Sequence, residues 1–378
     1  MTFYHASRLF DGQCIRDNVR LSVENGVIRG LDTNPQSTDL PLKGLVTAGF
    51  IDTQVNGGGG LMFNQQPSLT TIRKIRQAHS LFGTTAMLPT LITDNLAIMQ
   101  QAADAIAEAI ALKEPGILGV HFEGPHLSIP KRGIHSSHEI RPLSEEEMAI
   151  FCRQDLGKVV VTVAPENVSA AQISELVSCG VIVSLGHSNA DIDTVLQAID
   201  AGASGFTHLF NAMSGLAARN PGMVAAALHD PRVTCGLIAD ELHVHPYNCR
   251  LAFQCKGWQN LMLVTDAMAH VGADVESLPW LDTHIIRTGN KLTLPDGTLA
   301  GSALDMASAV SNIHQNMGIA LESALNMASL TPARFLDCSD RGKISVGMQA
   351  DFVLLDDQLQ SLGCWIAGVQ VAALPAKV

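Results

Sequence analysis

The chain is poor in aromatic and charged side chains and lacks the features of several protein classes. Aromatic residues are 4% and charged residues 16% of its 378 residues, while 47% are hydrophobic, which excludes an intrinsically disordered chain. No uninterrupted apolar run reaches the roughly 18 residues of a membrane span. That absence leaves no membrane partner expected. Because 36 acidic side chains outnumber 24 basic ones and no basic stripe is present, we do not expect nucleic acid as a partner either.

The eight cysteines are scattered, and no two form a Cys-x-x-Cys pair. In a chain of this length, that pattern predicts reduced, mostly buried thiols and a cytoplasmic location. The start, Met1 to His5, has no basic segment followed by an apolar one, so no signal peptide is expected. With a pI near 5.5, the sequence indicates an acidic intracellular protein.

Both ends of the chain have the pattern of short β-strands. Residues 20–28 alternate in polarity around Asn25 and Gly26, a pair typical of a hairpin turn, and residues 351–356 and 364–369 are similar in texture. We therefore predict one small β-sandwich domain built from residues 1–47 and 341–378. Residues 48–340 would form a second, larger domain inserted between its two parts.

The inserted region alternates between apolar runs and helix-like segments. The candidate strands centre on residues 46–55, 85–88, 117–122, 159–163, 181–185, 205–209, 233–238 and 261–265. The helix-like segments include residues 95–111, 170–179, 192–201 and 246–255. This alternation predicts a (β/α)8 TIM barrel. A doubly wound sheet is the alternative, but the glycines at 57–60 do not have the Gly-x-Gly-x-x-Gly spacing that it favours.

Four ionisable residues stand where predicted barrel strands end, namely Glu123, His187, His208 and Asp266. The carboxyl ends of all the strands face the same side of a barrel, so these side chains are expected to converge. One carboxylate and two imidazoles are the ligand set of a catalytic divalent metal that keeps a position open for water. Asp266 would then be free to carry a proton.

Other histidines near strand ends are weaker candidates. His243 and His245 follow the seventh strand, and we favour His243 as a donor to substrate over a second metal pair. His135 lies in a long loop after the third strand and either reaches the site or is part of a solvated basic loop.

At these residues the sequence resembles the amidohydrolase superfamily and, within it, the N-acetylglucosamine-6-phosphate deacetylases. The matching segments are 48–52 (AGFID), 121–125 (HFEGP), 164–166 (APE), 186–188 (GHS), 207–213 (THLFNAM), 220–222 (NPG), 264–267 (VTDA), 299–302 (LAGS) and 342–344 (GKI). They occur in order along nearly the whole chain.

The resemblance implies a role for each matching residue. Glu123, His187 and His208 would bind the metal, Asp266 would be general base and acid, and His135 would polarise the acetyl carbonyl. Residues implied in substrate binding are Ile134, His135, Asn211, Ala212, His243, Leu299, Ala300 and Gly301. Arg219 would bind the phosphate from the neighbouring subunit of a homodimer, because the guanidinium fork matches phosphate geometry.

Two departures from the family pattern bear on the site. Gln54 and Asn56 stand where most amidohydrolases have a His-x-His pair, and neutral amides are poor ligands, so a single metal is expected. The family usually has glycine at the position of Glu241, whose carboxylate we expect to face away from an anionic substrate.

The function implied is metal-dependent hydrolysis of the acetamide of N-acetyl-D-glucosamine 6-phosphate. Zinc is the first expectation for the ion, with iron, cobalt, manganese and nickel as alternatives. Alternatives for the activity are the N-acetylgalactosamine 6-phosphate epimer as substrate, and a metal-free, non-catalytic scaffold. A cyclic-amide hydrolase is disfavoured because such sites commonly need a binuclear metal pair.

Overall fold

The structure, a computed structural model, describes residues 1–372. The last six residues of the predicted segment 341–378, namely 373–378, lie outside the described residues. Within residues 1–372 no helix is both long and apolar enough to cross a membrane.

The strands, in chain order, are β1 (Thr2–Phe10), β2 (Ile15–Glu24), β3 (Val27–Asp32), β4 (Leu40–Ala48), β5 (Phe50–Val55), β6 (Gly57–Gly58), β7 (Leu61–Met62), β8 (Thr84–Ile92), β9 (Gly119–Glu123), β10 (Lys158–Val163), β11 (Ile182–Leu185), β12 (Gly205–Phe206), β13 (Thr234–Leu237), β14 (Leu261–Leu263), β15 (Ser277–Trp280), β16 (Thr283–Thr288), β17 (Lys291–Thr293), β18 (Phe352–Leu355), β19 (Ser361–Ile366) and β20 (Val369–Ala372).

The helices are α1 (Leu69–Ser80), α2 (Leu96–Ala111), α3 (Glu145–Phe151), α4 (Ala170–Ser178), α5 (Ile192–Asp200), α6 (Gly222–His229), α7 (Pro246–Lys256), α8 (Met306–Ser311), α9 (Leu321–Ala328) and α10 (Leu330–Phe335). A single 3₁₀ turn covers Ile129–Lys131, and a π-helical turn covers Asn312–Asn316.

Eight parallel strands form the large sheet, in the order β14-β13-β12-β11-β10-β9-β8-β5. A parallel bridge between Val55 and Ala267 brings its two edges together, which closes the sheet into a barrel. The predicted fold class, a TIM barrel with a separate β domain, is confirmed. Every residue of β5 and β8 is buried, as expected for parallel strands covered by helices.

Local sequence signals place the helices of the barrel. The Asn95 side chain accepts a hydrogen bond from the backbone N–H of Ile98 and so caps α2, while Ser144 and Ser169 form capping boxes at the starts of α3 and α4. The four helix-like segments proposed from the sequence coincide with α2, α4, α5 and α7 to within one residue at each end.

Two of the predicted strands differ from the structure in extent. The run 46–55 is divided at Gly49 between β4, which belongs to the small sheet, and β5, the first strand of the barrel. The run 205–209 keeps only two residues in β12, because the backbone turns into a left-handed conformation at His208.

The small β domain is one seven-stranded sheet in the order β20-β19-β18-β4-β1-β2-β3, so strands from both ends of the chain are neighbours. The predicted hairpin is formed by β2 and β3. A further three-stranded sheet, β15 to β17, was not anticipated from the sequence. Its Trp280 Nε1–H donates to the carbonyl of Ile134 at 3.1 Å and so ties this sheet to the loop that carries His135.

The expectation that all the cysteines are reduced is wrong for one pair. Cys152 and Cys179, which follow α3 and α4, form a disulfide with their Cα atoms 5.3 Å apart. The chain brings these helix ends together although 27 residues separate them, a proximity that cysteine spacing alone does not reveal. Of the other six, Cys235, Cys249 and Cys364 are buried.

Gly119 begins the strand that delivers Glu123, and a Cβ placed there would lie 1.8 Å from the carbonyl oxygen of Lys158 on the paired strand β10. We expect Gly119→Ala to lower the free energy of unfolding by about 3 kcal/mol, because the backbone must move to relieve the clash. Gly215→Ala is the control, since no atom lies within 4 Å of a Cβ at that exposed site. Equal denaturant midpoints for the two variants would contradict this account of the strand.

Candidate active site

The residues predicted at strand ends meet at one end of the barrel. Glu123 is the last residue of β9, and His187 and His208 lie two residues after β11 and β12. Asp266 lies three residues after β14. All four side chains are buried, with residue exposures between 2% and 9%.

Three of these side chains direct single atoms at one another. Glu123 Oε1 lies 3.3 Å from His187 Nε2 and 3.1 Å from His208 Nε2, and the two Nε2 atoms are 2.9 Å apart. Ligands placed tetrahedrally at about 2.0–2.1 Å from zinc are separated by about 3.3 Å. Two imidazole nitrogens and a carboxylate oxygen this close need a shared proton or cation, so the arrangement fits a divalent metal.

The tautomer of His187 favours metal binding. Its Nδ1 lies 2.8 Å from the carbonyl oxygen of Lys131, and a carbonyl oxygen can only accept. Nδ1 therefore carries the hydrogen, which leaves Nε2 of the neutral ring with a lone pair facing Glu123.

The strand-end residues depart from extended backbone in the same way. The φ angles of His187, His208 and Asp266 are 48°, 34° and 52°, in the left-handed region that side chains with a Cβ disfavour. Such residues persist only where their surroundings over-determine them, and they concentrate at functional sites.

Two amides hold the carboxylate of Asp266. Asn56 Nδ2 donates to Asp266 Oδ1 at 2.7 Å, and Gln54 Nε2 donates to the same oxygen at 3.1 Å. Gln54 Nε2 also lies 3.0 Å from Glu123 Oε1. The positions that hold histidines in most amidohydrolases are thus occupied by hydrogen-bond donors, and neither amide donates to the other oxygen of Asp266.

The buried charges alter one another's titration. Burial, followed by the negative charge of Glu123, raises the pKa of Asp266 to about 6. Burial alone would raise the pKa of Glu123 too, but the side-chain contacts with His187 and His208 hold it well below its usual range. Burial opposes the charged form of His208, yet the hydrogen bond to Glu123 raises the pKa of that ring.

His135 belongs to the same cluster. Glu123, His135 and His187 offer ligand atoms that all lie within 4.8 Å of one another, and the rings of His135 and His187 have centroids 4.4 Å apart. His135 Nδ1 lies 2.8 Å from Thr93 Oγ1, which holds the ring in place. His208 Nε2 lies 3.1 Å from Glu123 Oε1 and 2.9 Å from His187 Nε2, well within the 4.8 Å limit that includes His135. We therefore regard His208 as the better third ligand.

A cavity of about 340 Å³ opens over this cluster. The four strand-end residues line it. So do seven of the residues predicted to bind substrate, namely Ile134, His135, Asn211, Ala212, His243, Leu299 and Gly301. Ala300 is fully buried behind the wall, and Arg219 lies on an exposed loop outside the lining. Lys131 is the only lysine or arginine that lines the cavity in the described part of the chain.

The two histidines that follow β13 have different surroundings. His243 Nδ1 lies 2.6 Å from Asp240 Oδ2, whereas His245 is exposed and caps α7, so the alternative of a second metal pair finds no support. Glu241 faces away from the cavity, as expected, and accepts a hydrogen bond from Asn316. Its φ of 64° explains why the family usually has glycine there.

Several contacts at the site were not predicted from the sequence. Gln54 and Asn56 were interpreted only as lost metal ligands, although their alternate positions place both side chains on one face of β5 and its continuation. The Thr93 hydroxyl that holds His135 and the Lys131 carbonyl that holds His187 were not predicted either, because the first contact depends on tertiary packing and the second is made by a backbone group.

Comparisons with known proteins agree with this geometry. The sequence pattern of the amidohydrolase family matches residues 45–374. The chain is 50% identical over 361 residues to an N-acetylgalactosamine-6-phosphate deacetylase of a Shewanella species, covering 94% of this chain and 92% of the relative.

Two solved structures are similar throughout. N-acetylglucosamine-6-phosphate deacetylase of Pasteurella multocida superposes with a TM-score of 0.94 at 34% identity, covering 98% of this chain and 100% of that one. A mutant of the Mycobacterium smegmatis enzyme in complex with N-acetyl-D-glucosamine-6-phosphate gives a TM-score of 0.92 at 28% identity, covering 98% of this chain and 99% of that one.

Metal affinity is expected to fall in acid. Metal ligation needs neutral imidazoles, and the pKa of His208 is raised in the metal-free protein, so protons compete with the ion as the pH falls toward 6. We expect the Kd for Zn²⁺, measured by chelator competition, to be about tenfold weaker or more at pH 6 than at pH 8. The control is His229→Gln, at an exposed position, which should show the same pH dependence as wild type. Equal Kd values of wild type at the two pH values would contradict the assignment of the two histidines as metal ligands.

Proposed function

The chain belongs to the amidohydrolase family, and we propose that it hydrolyses the acetamide of N-acetyl-D-glucosamine 6-phosphate to glucosamine 6-phosphate and acetate. The observation that carries this proposal is the convergence of Glu123, His187 and His208 beside the carboxylate of Asp266. The family is metal-dependent, and the chain is a hydrolase acting on amides.

One divalent ion would be held by Glu123, His187 and His208. When bound, such an ion makes water a stronger acid and polarises a carbonyl group. The donor set and its spacing favour zinc, although iron, cobalt, manganese or nickel would also accept two imidazoles and a carboxylate. A second ion is not proposed, because Gln54 and Asn56 direct their N–H groups at carboxylates instead of offering lone pairs to a metal.

Proton transfer is assigned to Asp266. Its carboxylate would accept a proton from the attacking water and deliver it to the departing nitrogen, as amide hydrolysis at neutral pH requires. In the metal-free protein the pKa of Asp266, at about 6, leaves its carboxylate mostly ionised at neutral pH and so able to accept a proton. His135, held by Thr93, would contact the acetyl carbonyl, and the cavity residues Ile134, Asn211, Ala212, His243, Leu299 and Gly301, with Ala300 behind them, would surround the sugar phosphate.

N-acetylgalactosamine 6-phosphate is the second candidate substrate. It differs from the first only at the 4-hydroxyl, and the Shewanella relative at 50% identity is named for this epimer. Both sugars present the same acetamide to the strand-end cluster, so the chemistry is common to the two candidates.

The phosphate needs more positive charge than one subunit brings to the cavity. Among residues 1–372, Lys131 is the only lysine or arginine of the lining, and Arg219 is exposed and has no ion-pair partner. We therefore propose a homodimer in which Arg219 of the partner subunit reaches the phosphate. The proposed compartment is the cytoplasm, where the disulfide between Cys152 and Cys179 would be an exception among otherwise reduced thiols.

Acetate release tests the proposed function. The purified zinc-loaded protein is supplied separately with the two epimeric N-acetylhexosamine 6-phosphates, and acetate is measured over time. The proposal requires release from at least one of them, and the ratio of kcat/KM values identifies the preferred epimer. No release from either sugar would overturn it.

Asp266→Asn is expected to lower kcat by roughly 10²- to 10⁴-fold, because the amide cannot accept the proton. The metal content should stay at one ion per chain, since Asp266 is not assigned as a ligand. Asp193→Asn, at an exposed position on α5, is the matched control. A rate near that of the control would remove Asp266 from its proposed role.

Arg219→Ala is expected to raise KM for the phosphorylated sugar about tenfold or more, through loss of charge-assisted hydrogen bonds. Its thermal midpoint and its residual activity on the unphosphorylated N-acetyl sugar should hardly change. Analytical ultracentrifugation should show a dimer, and an unchanged KM or a monomer that is fully active would refute the exchange of Arg219 between subunits.

A further inference from the structure

Asp52 is a buried carboxylate that the proposed reaction does not use. It lies on β5, two residues before Gln54, and is fully inaccessible to solvent. Its Oδ2 accepts the hydroxyl of Thr265 at 2.5 Å, and its Oδ1 accepts the backbone N–H groups of Thr265 at 3.3 Å and Gln54 at 3.2 Å. Two of these three donors belong to Thr265, the residue immediately before Asp266, so the carboxylate of Asp52 fixes the position of Thr265.

The same stretch of backbone is also held from its other side. Ser302 Oγ donates to the carbonyl of Thr265 at 2.5 Å, and its backbone N–H donates to the carbonyl of Asp266 at 3.0 Å. The N–H of Asp266 donates to the carbonyl of Gln54 at 3.0 Å. Residues 265 and 266 are thus fixed between the first barrel strand and the segment that contains Ser302.

This hold matters because Asp266 has a left-handed backbone, with φ at 52°. A residue with a Cβ relaxes from that conformation unless its neighbours oppose the change. Relaxation would rotate the carboxylate away from the amides of Gln54 and Asn56, which define its present position.

We propose that Asp52 is a positioning residue that acts through Thr265 to aim the carboxylate of Asp266 at the reacting atoms. This inference rests on the proposed role of Asp266 in amide hydrolysis. Misplacing a reacting group by about 1 Å can cost about 10²-fold in rate, so the contact affects turnover more than substrate affinity.

The test compares Thr265→Val, which removes the hydroxyl, with Thr265→Ser, which keeps it, and with Asp52→Asn. Assays run at pH 8, because burial raises the pKa of Asp52 to about 7 and its carboxylate must be ionised. We expect kcat to fall roughly 10- to 100-fold in Thr265→Val and Asp52→Asn, with KM within about twofold of wild type and one metal ion retained per chain. Thr265→Ser should restore most of the rate.

Thr47→Val is the matched control, because Thr47 on β4 is equally buried and its hydroxyl has no hydrogen-bond partner among the described residues. Its kcat should equal that of wild type. If Thr265→Val turns over as fast as this control, or if Thr265→Ser is as slow as Thr265→Val, the proposal is overturned.

A structural measurement separates this inference from the proposed function. Crystal structures of wild type and Thr265→Val report the distance from Asn56 Nδ2 to Asp266 Oδ1, which is 2.7 Å here. The inference requires that hydrogen bond to be lost in the variant, and an unmoved carboxylate contradicts it. Wild-type protein that releases no acetate from either sugar refutes the proposed function, while the distance still decides whether Asp52 positions Asp266.

Discussion

The contact on which this account depends is the meeting of one carboxylate oxygen with two imidazole nitrogens at the end of a barrel. Glu123, His187 and His208 stand at the ends of β9, β11 and β12 and place their ligand atoms within 3.3 Å of one another. In a buried setting this grouping is unfavourable without a cation to share. A buried grouping of this kind is expected at a functional site, and in the proposed hydrolysis the adjacent Asp266 would be the proton carrier.

The surrounding structure holds these groups in conformations they would not adopt alone. The left-handed backbones of His187, His208 and Asp266 turn their side chains inward over the barrel. The ring of His187 is fixed by the carbonyl of Lys131, and the carboxylate of Asp266 is fixed by Gln54 and Asn56. Precision at the site therefore comes from hydrogen bonds that join elements distant in the chain, a common way of presetting reactive groups.

The barrel and the convergence of its strand-end residues could be predicted from the sequence. Parallel strands leave long apolar runs, and their common direction made it possible to predict that Glu123, His187, His208 and Asp266 would converge. The hydrogen bonds from Gln54 and Asn56 to Asp266 could not be read, because they depend on how the first and last strands close the barrel. The short, polar strands β15 to β17 and the Cys152–Cys179 pair also left no local signal, since both depend on tertiary packing.

The most direct test is anomalous X-ray diffraction from crystals grown with zinc, with data collected on both sides of the zinc absorption edge. The account predicts one anomalous peak per chain, about 2.0–2.2 Å from Glu123 Oε1 and from Nε2 of His187 and His208. A second peak beside Gln54 and Asn56 would contradict the single-metal site. The absence of any peak among Glu123, His187 and His208 would contradict the account as a whole.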